Sequence, residues 1–495
     1  MTQLPLPIRT LAALLVASSL GACTLGPDYQ RPQTPVVAEF KQAEGWKPAT
    51  PHALDSGQWW LLYDDPVLTG LIERLNLDNQ NLAAAEARYR QARALVRGAR
   101  SDLFPAVGAS AGVTRSAQGS RTISGTSVST GSSVSENYEL GISASWELDL
   151  WGRLRRTLEA NQANALASEA DLAAVRLSLQ AELAQTYMQL RVLDEQRRLF
   201  AATIDAYERS LELTQNQYRA GIAPKSDVTQ ALAQLRSAQA QAVDLLWQRA
   251  QLEHAIAVLV GVPPSELDIA VREEVPELPD IPRIMASELL ERRPDIATAE
   301  QDVIAANALI GATQAAWYPD LTLSTSGGYS NSAVTDLISV PNRFWSLGPS
   351  MALTLLDFGG RRAELERVEA SYDETVATYR QTVLDAFREV EDYLVQLRVL
   401  GEEAQIQQEA LEAAQDSLRL IQNQYQAGIV DFLSVATLQT NALNTERTNL
   451  ALLGDRLVTS VQLIAALGGG WQVANLADDA PAADEQPQGG TEASR

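Results

Sequence analysis

The sequence predicts an α+β membrane protein made of one unit written twice: helix, β-hairpin, long helix, tight turn, returning helix. Three observations predict it. "LTQNQYRAGI" from Leu213 returns as "LIQNQYQAGI" from Leu420, placing Gly221 and Gly428 207 positions apart; a copy at that interval duplicates a whole structural unit, not a short solenoid repeat. Residues 138–150 alternate between apolar and polar side chains, the period of a strand. Two long proline-free stretches carry apolar residues at steps of four and three, the heptad spacing of a coiled coil.

Composition removes several classes. Apolar residues make up 46% and charged residues 20%, as in a folded chain and unlike a disordered one. The formal charge of −23 excludes nucleic acid as a partner, because phosphate binding needs clustered Lys and Arg. Cys23 is the only cysteine, so neither a disulfide framework nor a cysteine metal cluster can form. His52 and His254 stand far apart without ligand spacing, and His254 reads as a packed or surface residue of a helix. "GGG" at Gly468 follows a helix instead of a strand, so it does not read as a phosphate cradle. An enzyme is not expected, nor any metal or cofactor.

The N-terminus reads as an export signal over residues 1–22. Arg9 precedes the apolar run "LAALLVASSLGAC", which is too short to span a bilayer. Its end, Leu20-Gly21-Ala22-Cys23, is similar to a bacterial lipobox, in which Cys23 becomes the mature first residue bearing N-acyl and S-diacylglycerol groups. Each buried acyl CH₂ contributes about 0.8 kcal/mol of membrane affinity. Thr24 stands where inner-membrane retention would show Asp, favouring the outer membrane. Residues 23–65, with the Pro-rich "TLGPDYQRPQTP", read as an extended tether.

The first repeat is expected over 66–261. Asp64 and Asp65 before Pro66 start a helix that runs to about Leu103, where Phe104-Pro105 ends it. A hairpin occupies about 104–151. Tyr138, Leu140, Ile142, Ala144, Trp146, Leu148 and Leu150 lie on one face of its second strand; Asn137, Glu139, Gly141, Ser143, Ser145, Glu147 and Asp149 lie on the other. "GTSVSTGSS" after Gly125 reads as a loop. The long helix 153–220 presents a seam from Thr186 to Tyr218, apolar for the most part with Arg197 as its exception, and would be about 100 Å long. Gly221 ends it in a left-handed cap, with Pro224 just beyond, and the returning helix covers 226–259. After an inter-repeat linker at 262–283, the second repeat covers 284–468: a helix to Ala316, a hairpin at about 319–358, a long helix 361–427 and a returning helix 433–467. Residues 469–495 form a tail. In its hairpin Trp345, Leu347, Met351, Leu353 and Leu355 share a face, and Phe358-Gly359 aligns with Trp151-Gly152.

Two strands per repeat give four per chain. A wall apolar on one side and polar on the other suits a barrel between lipid and water, yet four strands cannot close one. An open edge in lipid leaves backbone groups unsatisfied at several kcal/mol each, so the strands require further copies of the chain. Three copies would supply twelve strands; spacing alone leaves other counts open.

The sequence resembles the TolC-like outer-membrane efflux family, in its lipoprotein branch (the OprM/NodT type). The match rests on "CTLGPDYQRP" at Cys23, "ERRPDI" at Glu291, the paired "QNQY-x-AGI" turns and "AALGGGW" at Ala465, and covers nearly the whole chain. The resemblance implies a homotrimer with a twelve-stranded barrel in the outer membrane, continued by a twelve-helix α-barrel across the periplasm. It implies a periplasmic adaptor and an inner-membrane pump, of the RND type, docked at the helical end, so that the chain acts as a passive exit duct. Tyr218, Gly221, Ile222, Tyr425, Gly428 and Ile429 then become the periplasmic tips that meet the adaptor. Asp227 and Asp431 are the aperture candidates, since carboxylate rings favour cations. Asp227 also suits a helix N-cap, Asp431 a solvated turn, and Thr437 occupies a position where relatives commonly carry Asp. The alternatives are a type I secretion exit, a non-conducting periplasmic spacer and, without a nucleophile–base pair to support it, an envelope hydrolase.

Overall fold

The computed structural model describes residues 24–34, 41, 57–118, 133–272, 275–279, 281 and 292–473. Cys23 and the signal sequence, His52, the loop after Gly125, residues 284–291 and the tail beyond 473 lie outside these residues.

The elements in order are α1 (Pro66–Asp78), α2 (Gln80–Ser101), β1 (Ala106–Gln118), β2 (Ser133–Leu148), α3 (Arg153–Arg219) and α4 (Lys225–Leu259). They continue with α5 (Pro294–Ala315), β3 (Asp320–Asn331), β4 (Arg343–Ala352), α6 (Gly360–Gln426) and α7 (Phe432–Ala466). The long helices of the two repeats are both 67 residues and the returning helices both 35. Among the described residues no helix is long and apolar enough to cross a membrane.

The single helix expected from Pro66 to Leu103 is broken. Asn79 takes an extended ψ of 125°, and its Oδ1 accepts from the Leu82 amide at 2.9 Å, capping α2, while its Nδ2 donates to the Leu259 carbonyl at 2.7 Å. One side chain thus starts a helix and ties it to the end of α4, a choice that helical periodicity cannot reveal. Residues 24–31, expected as part of a tether, are instead docked against α3 and α5.

The four strands form one antiparallel sheet in the order β1-β2-β3-β4. β2 pairs with β3 from Tyr138↔Asn331 to Leu148↔Leu321, so the two hairpins join across the repeats. Register sorts the side chains. Val107, Leu140, Ile142, Trp146, Leu323, Trp345, Leu347 and Met351 share one face, and Ser110, Ser116, Ser143, Ser326, Ser330 and Ser346 share the other. On the polar face Ser116 bonds Ser135 at 2.8 Å, and Ser326 bonds Ser346 at 2.7 Å. On the apolar face Trp345 is 75% exposed in the single chain. β1 and β4 are the unpaired edges, and Pro349 sits in β4, where a missing N–H is tolerated. Leu353 and Leu355, expected on the strand, lie beyond it. There the Thr354 carbonyl accepts from Arg361 Nη2 at 2.7 Å and Asp357 accepts from Arg361 Nε at 2.7 Å, turning the chain into α6.

Contacts divide the chain into two compact units, and each unit draws on both repeats. One holds the described residues up to Pro32 with Tyr89–Ser168 and Ala299–Tyr379; the other holds those of Gln33–Arg88, Glu169–Thr298 and Arg380 onward. The repeats at 66–261 and 284–468 are therefore divisions of sequence and not separate bodies.

Within the second unit a buried charge network ties the middle of α3 to the start of α1 and to α4. Asp65 caps α1 through the Val67 amide at 2.8 Å and accepts the Tyr187 hydroxyl at 2.6 Å. The Tyr187 oxygen accepts from Arg191 Nε at 2.9 Å, and burial raises the hydroxyl's pKa above its ordinary value, the Asp65 hydrogen bond adding to the rise. Arg191 continues to Asp194 at 3.2 Å and to the Ala270 carbonyl at 2.9 Å. Asp194 is fully buried and also accepts from Arg249 Nε at 2.8 Å, with Arg197 at 3.8 Å. Glu253 receives the Ile269 amide at 2.6 Å, so part of the inter-repeat linker is strapped to α3 and α4. The two arginines recur 207 positions on as Arg398 and Arg456, but Gly401 and Ser460 stand in the places of Asp194 and Glu253, so the second repeat lacks the carboxylates that join the network.

Two of the resembling motifs meet in this unit. Arg293 of "ERRPDI" donates to the Ala466 carbonyl of "AALGGGW" at 3.1 Å while pairing with Asp295 and Glu389.

Candidate functional site at the helical turns

The turns after α3 and α6 have the same backbone. Gly221 has φ +73° and Gly428 φ +75°, the left-handed region that glycine enters without a Cβ penalty. The Ile222 amide donates to the Gln217 carbonyl at 2.9 Å and the Gly221 amide to Tyr218 at 2.9 Å; Ile429 donates to Gln424 at 2.9 Å and Gly428 to Tyr425 at 3.0 Å. This is the Schellman pattern, which satisfies the last carbonyls of a helix. Ile222 is 74% exposed and Ile429 73%, so each turn projects an apolar side chain that no helix of the protomer covers.

The two preceding tyrosines differ. Tyr218 is 45% exposed, whereas Tyr425 is 6% exposed and packs with Ala231, Phe432, Val435 and Ala436. Its ring meets Phe432 edge-on at 5.7 Å. Its hydroxyl donates to Gln217 Oε1 at 2.6 Å and lies 3.3 Å from Thr214 Oγ1. Burial raises the Tyr425 pKa from its ordinary value, and the Asp227 carboxylate adds to the rise. The contact joins α6 to α3, and hence the two turns to each other. The heptad seam had marked Thr214 and Tyr425 as packing positions; Gln217 was missed, since a glutamine in "QNQY" carries no sign of which partner it meets.

The two aspartates play different parts. Asp431 is exposed in the turn, as a solvated turn residue is, and is also the N-cap of α7: its Oδ1 accepts from the Ser434 amide at 3.0 Å and the Ser434 hydroxyl at 2.6 Å. Those bonds hold its carboxyl below the usual range. Asp227, for which a cap was the alternative, lies inside the first turn of α4, whose N-cap is Pro224 without a side-chain bond. Pro224 is the residue 207 positions before Asp431, so one repeat caps with a carboxylate and the other sets the entry angle with proline. Asp227 receives the Ser226 hydroxyl at 3.2 Å. Thr437 bonds back to the Leu433 carbonyl at 2.8 Å, as helical threonines do. His254 is exposed on α4.

The cap has a pH signature. A depressed carboxyl stabilises the fold above its unfolded pKa, and that contribution is lost as pH falls through the lowered folded value. Asp431→Ala is therefore expected to speed amide exchange in the first turn of α7 at neutral pH and to leave little further change on acidification. Asp227→Ala leaves that turn protected.

Comparison with known proteins places this geometry. The family described as "Outer membrane efflux protein" matches residues 71–262 and 285–469. The probable efflux pump outer membrane protein TtgC of Pseudomonas putida is 33% identical over 488 residues, 97% of this chain and 99% of that one. The pyoverdine export outer membrane protein OpmQ of Pseudomonas aeruginosa is 32% identical, covering 94% and 98%. Among solved structures the outer-membrane channel OprN superposes with a TM-score of 0.84 at 31% identity, covering 91% of this chain and 100% of that one. The open-state MtrE outer membrane channel of Neisseria gonorrhoeae superposes at 0.80 and 27% identity, covering 91% and 99%. The duplicated fold, the two-faced sheet and nearly complete alignment give one result: this chain belongs to the outer membrane efflux protein family, a protein of the outer membrane with the fold of its channels.

Proposed function

We propose that three copies of the chain close one duct that passively carries substrates from an inner-membrane pump, through a periplasmic adaptor, to the cell exterior. The carrying observation is the four-stranded sheet with two unpaired edges and one exposed apolar face. In lipid, β1 of one protomer must pair with β4 of the next, since unpaired backbone groups cost several kcal/mol each. Twelve strands close at a diameter that leaves a lumen. No bond is made or broken in transit, and the pump, of the RND type, supplies direction and substrate choice. Cys23 carries the lipid that retains the mature chain at the outer membrane.

The turns at Gly221 and Gly428 are the adaptor-facing tips. Exposed Ile222 and Ile429 offer the adaptor apolar contacts, and adaptor binding favours the dilated state through its higher affinity for it. Tyr425 is the latch of the closed state, with Asp227 beside it at the aperture. Tyr425→Phe removes the bonds to Gln217 and Thr214 while keeping the ring packing, a loss of about 1 kcal/mol for the closed tip. Sensitivity to large antibiotics should rise several-fold, whereas Tyr218→Phe leaves it unchanged.

Crosslinking in cells tests the assembly. A photoreactive residue at position 222 or 429 should capture a periplasmic adaptor encoded beside a proton-driven transporter. Export in the absence of any adaptor would reverse the reading. Capture of a type I secretion adaptor would assign the duct to protein export, and wild-type protein that never conducts would leave a spacer.

A further inference from the structure

The segment that follows Cys23 is fastened at nearly every residue. The Leu25 amide donates to the Trp151 carbonyl at 3.2 Å. Arg156, whose side chain is 6% exposed, donates to the Leu25 carbonyl at 3.1 Å and to Asp28 at 3.1 Å. Asn307 donates to the Pro27 carbonyl at 3.0 Å, and Glu300 takes Tyr29 at 3.1 Å and Arg31 at 2.6 Å. Two glycines permit the approach: a Cβ on Gly311 would lie 2.6 Å from the Leu25 carbonyl oxygen, and one on Gly26 would lie 2.3 Å from the Gly311 Cα. A packed segment with this many bonds is a strap and not a free leash.

The strap ends at a defined place. The Thr24 Cα stands 3.1 Å from where a Cβ of Gly152 would be, just past the end of β2. Thr24 is the residue next to Cys23 in the sequence. Beside it Trp151 stacks on Tyr318 at 4.9 Å and 30°, its Nε1 donating to the Pro319 carbonyl at 2.9 Å. Tyr318, 42% exposed, leaves part of the pair open. Aromatic pairs of this kind sit at the boundary between lipid and water.

We propose that the Trp151–Tyr318 pair at the foot of the sheet is a contact site for the acyl chains on Cys23, and that the strap of residues 24–31 holds those chains there. The inference rests on the acylation of Cys23. The anchor is then positional: it sets the height of the sheet in the membrane, and release of the strap removes that function while the lipid remains attached.

The test uses the full-length, membrane-inserted protein with p-benzoylphenylalanine at position 318. Ultraviolet light should join position 318 to the acyl-bearing N-terminal peptide, read by mass spectrometry. Gly311→Val and, independently, Arg156→Ala should lower that yield at least about tenfold while the mass of the acylated N-terminus is unchanged. The site is overturned if Cys23 is acylated but position 318 captures only phospholipid, or if both variants leave the yield unaltered. An unacylated N-terminus would instead defeat the lipidation on which the site depends.

Discussion

Asp194→Ala is expected to destabilise the folded chain by about 3–5 kcal/mol, because it leaves charged partners buried without their acceptor. Arg191 and Arg249 both converge on this carboxylate, at 3.2 and 2.8 Å, and neither can turn to bulk water: Arg191 is 1% exposed. The damage should spread along the strap of the inter-repeat linker, since the Ala270 and Ile269 carbonyls are held by the same two arginines. Chemical denaturation in detergent measures the loss, and exchange at residues 267–272 should locate it. A wild-type midpoint for Asp194→Ala would show the network to be without consequence.

Gly428→Val and Gly221→Val are expected to reduce adaptor-dependent drug resistance to the level of cells lacking the duct, with trimers still formed. A Cβ at either position meets no atom within 4 Å, so the effect comes from backbone strain alone. A non-glycine residue in the left-handed region costs about 1–2 kcal/mol, more when β-branched. That cost falls on the turn that displays Ile222 or Ile429. Alanine should give a milder defect than valine at both sites, and Asn, which tolerates this region, milder still. Resistance assays with trimer content checked in parallel decide the matter; normal resistance in both valine variants would remove the turns from adaptor recognition.

The long helices, their turns and the two-faced sheet were legible in the sequence because each repeats a local rule many times. Seam positions from Leu190 to Tyr207 and from Leu397 to Tyr425 needed only periodicity, and a strand such as β2 states its two faces through simple alternation. Features set by a single side chain were not legible. Asn79 breaks a helix because its amide meets a carbonyl 180 residues away. Asp194 sits on a helix rich in charge, where most carboxylates are solvated, and nothing in the sequence marks it as buried. Arg197, the exception on the seam, is explained by its place 3.8 Å from that carboxylate. The strap escaped notice because "TLGPDYQRP" has the composition of a tether, and the glycine that receives it, Gly311, lies on a helix far along the chain. At the turns, duplication suggested symmetry, whereas proline at 224 and aspartate at 431 give the two repeats different caps, and only Tyr425 is buried.

Single-channel recording of the detergent-purified, acylated protein in planar bilayers weighs the duct itself. Wild-type protein should insert as discrete conducting steps, small while the tips are latched and several-fold larger for Tyr425→Phe. Assembled protein that inserts yet passes no current in either form would contradict a hollow passage through the assembly.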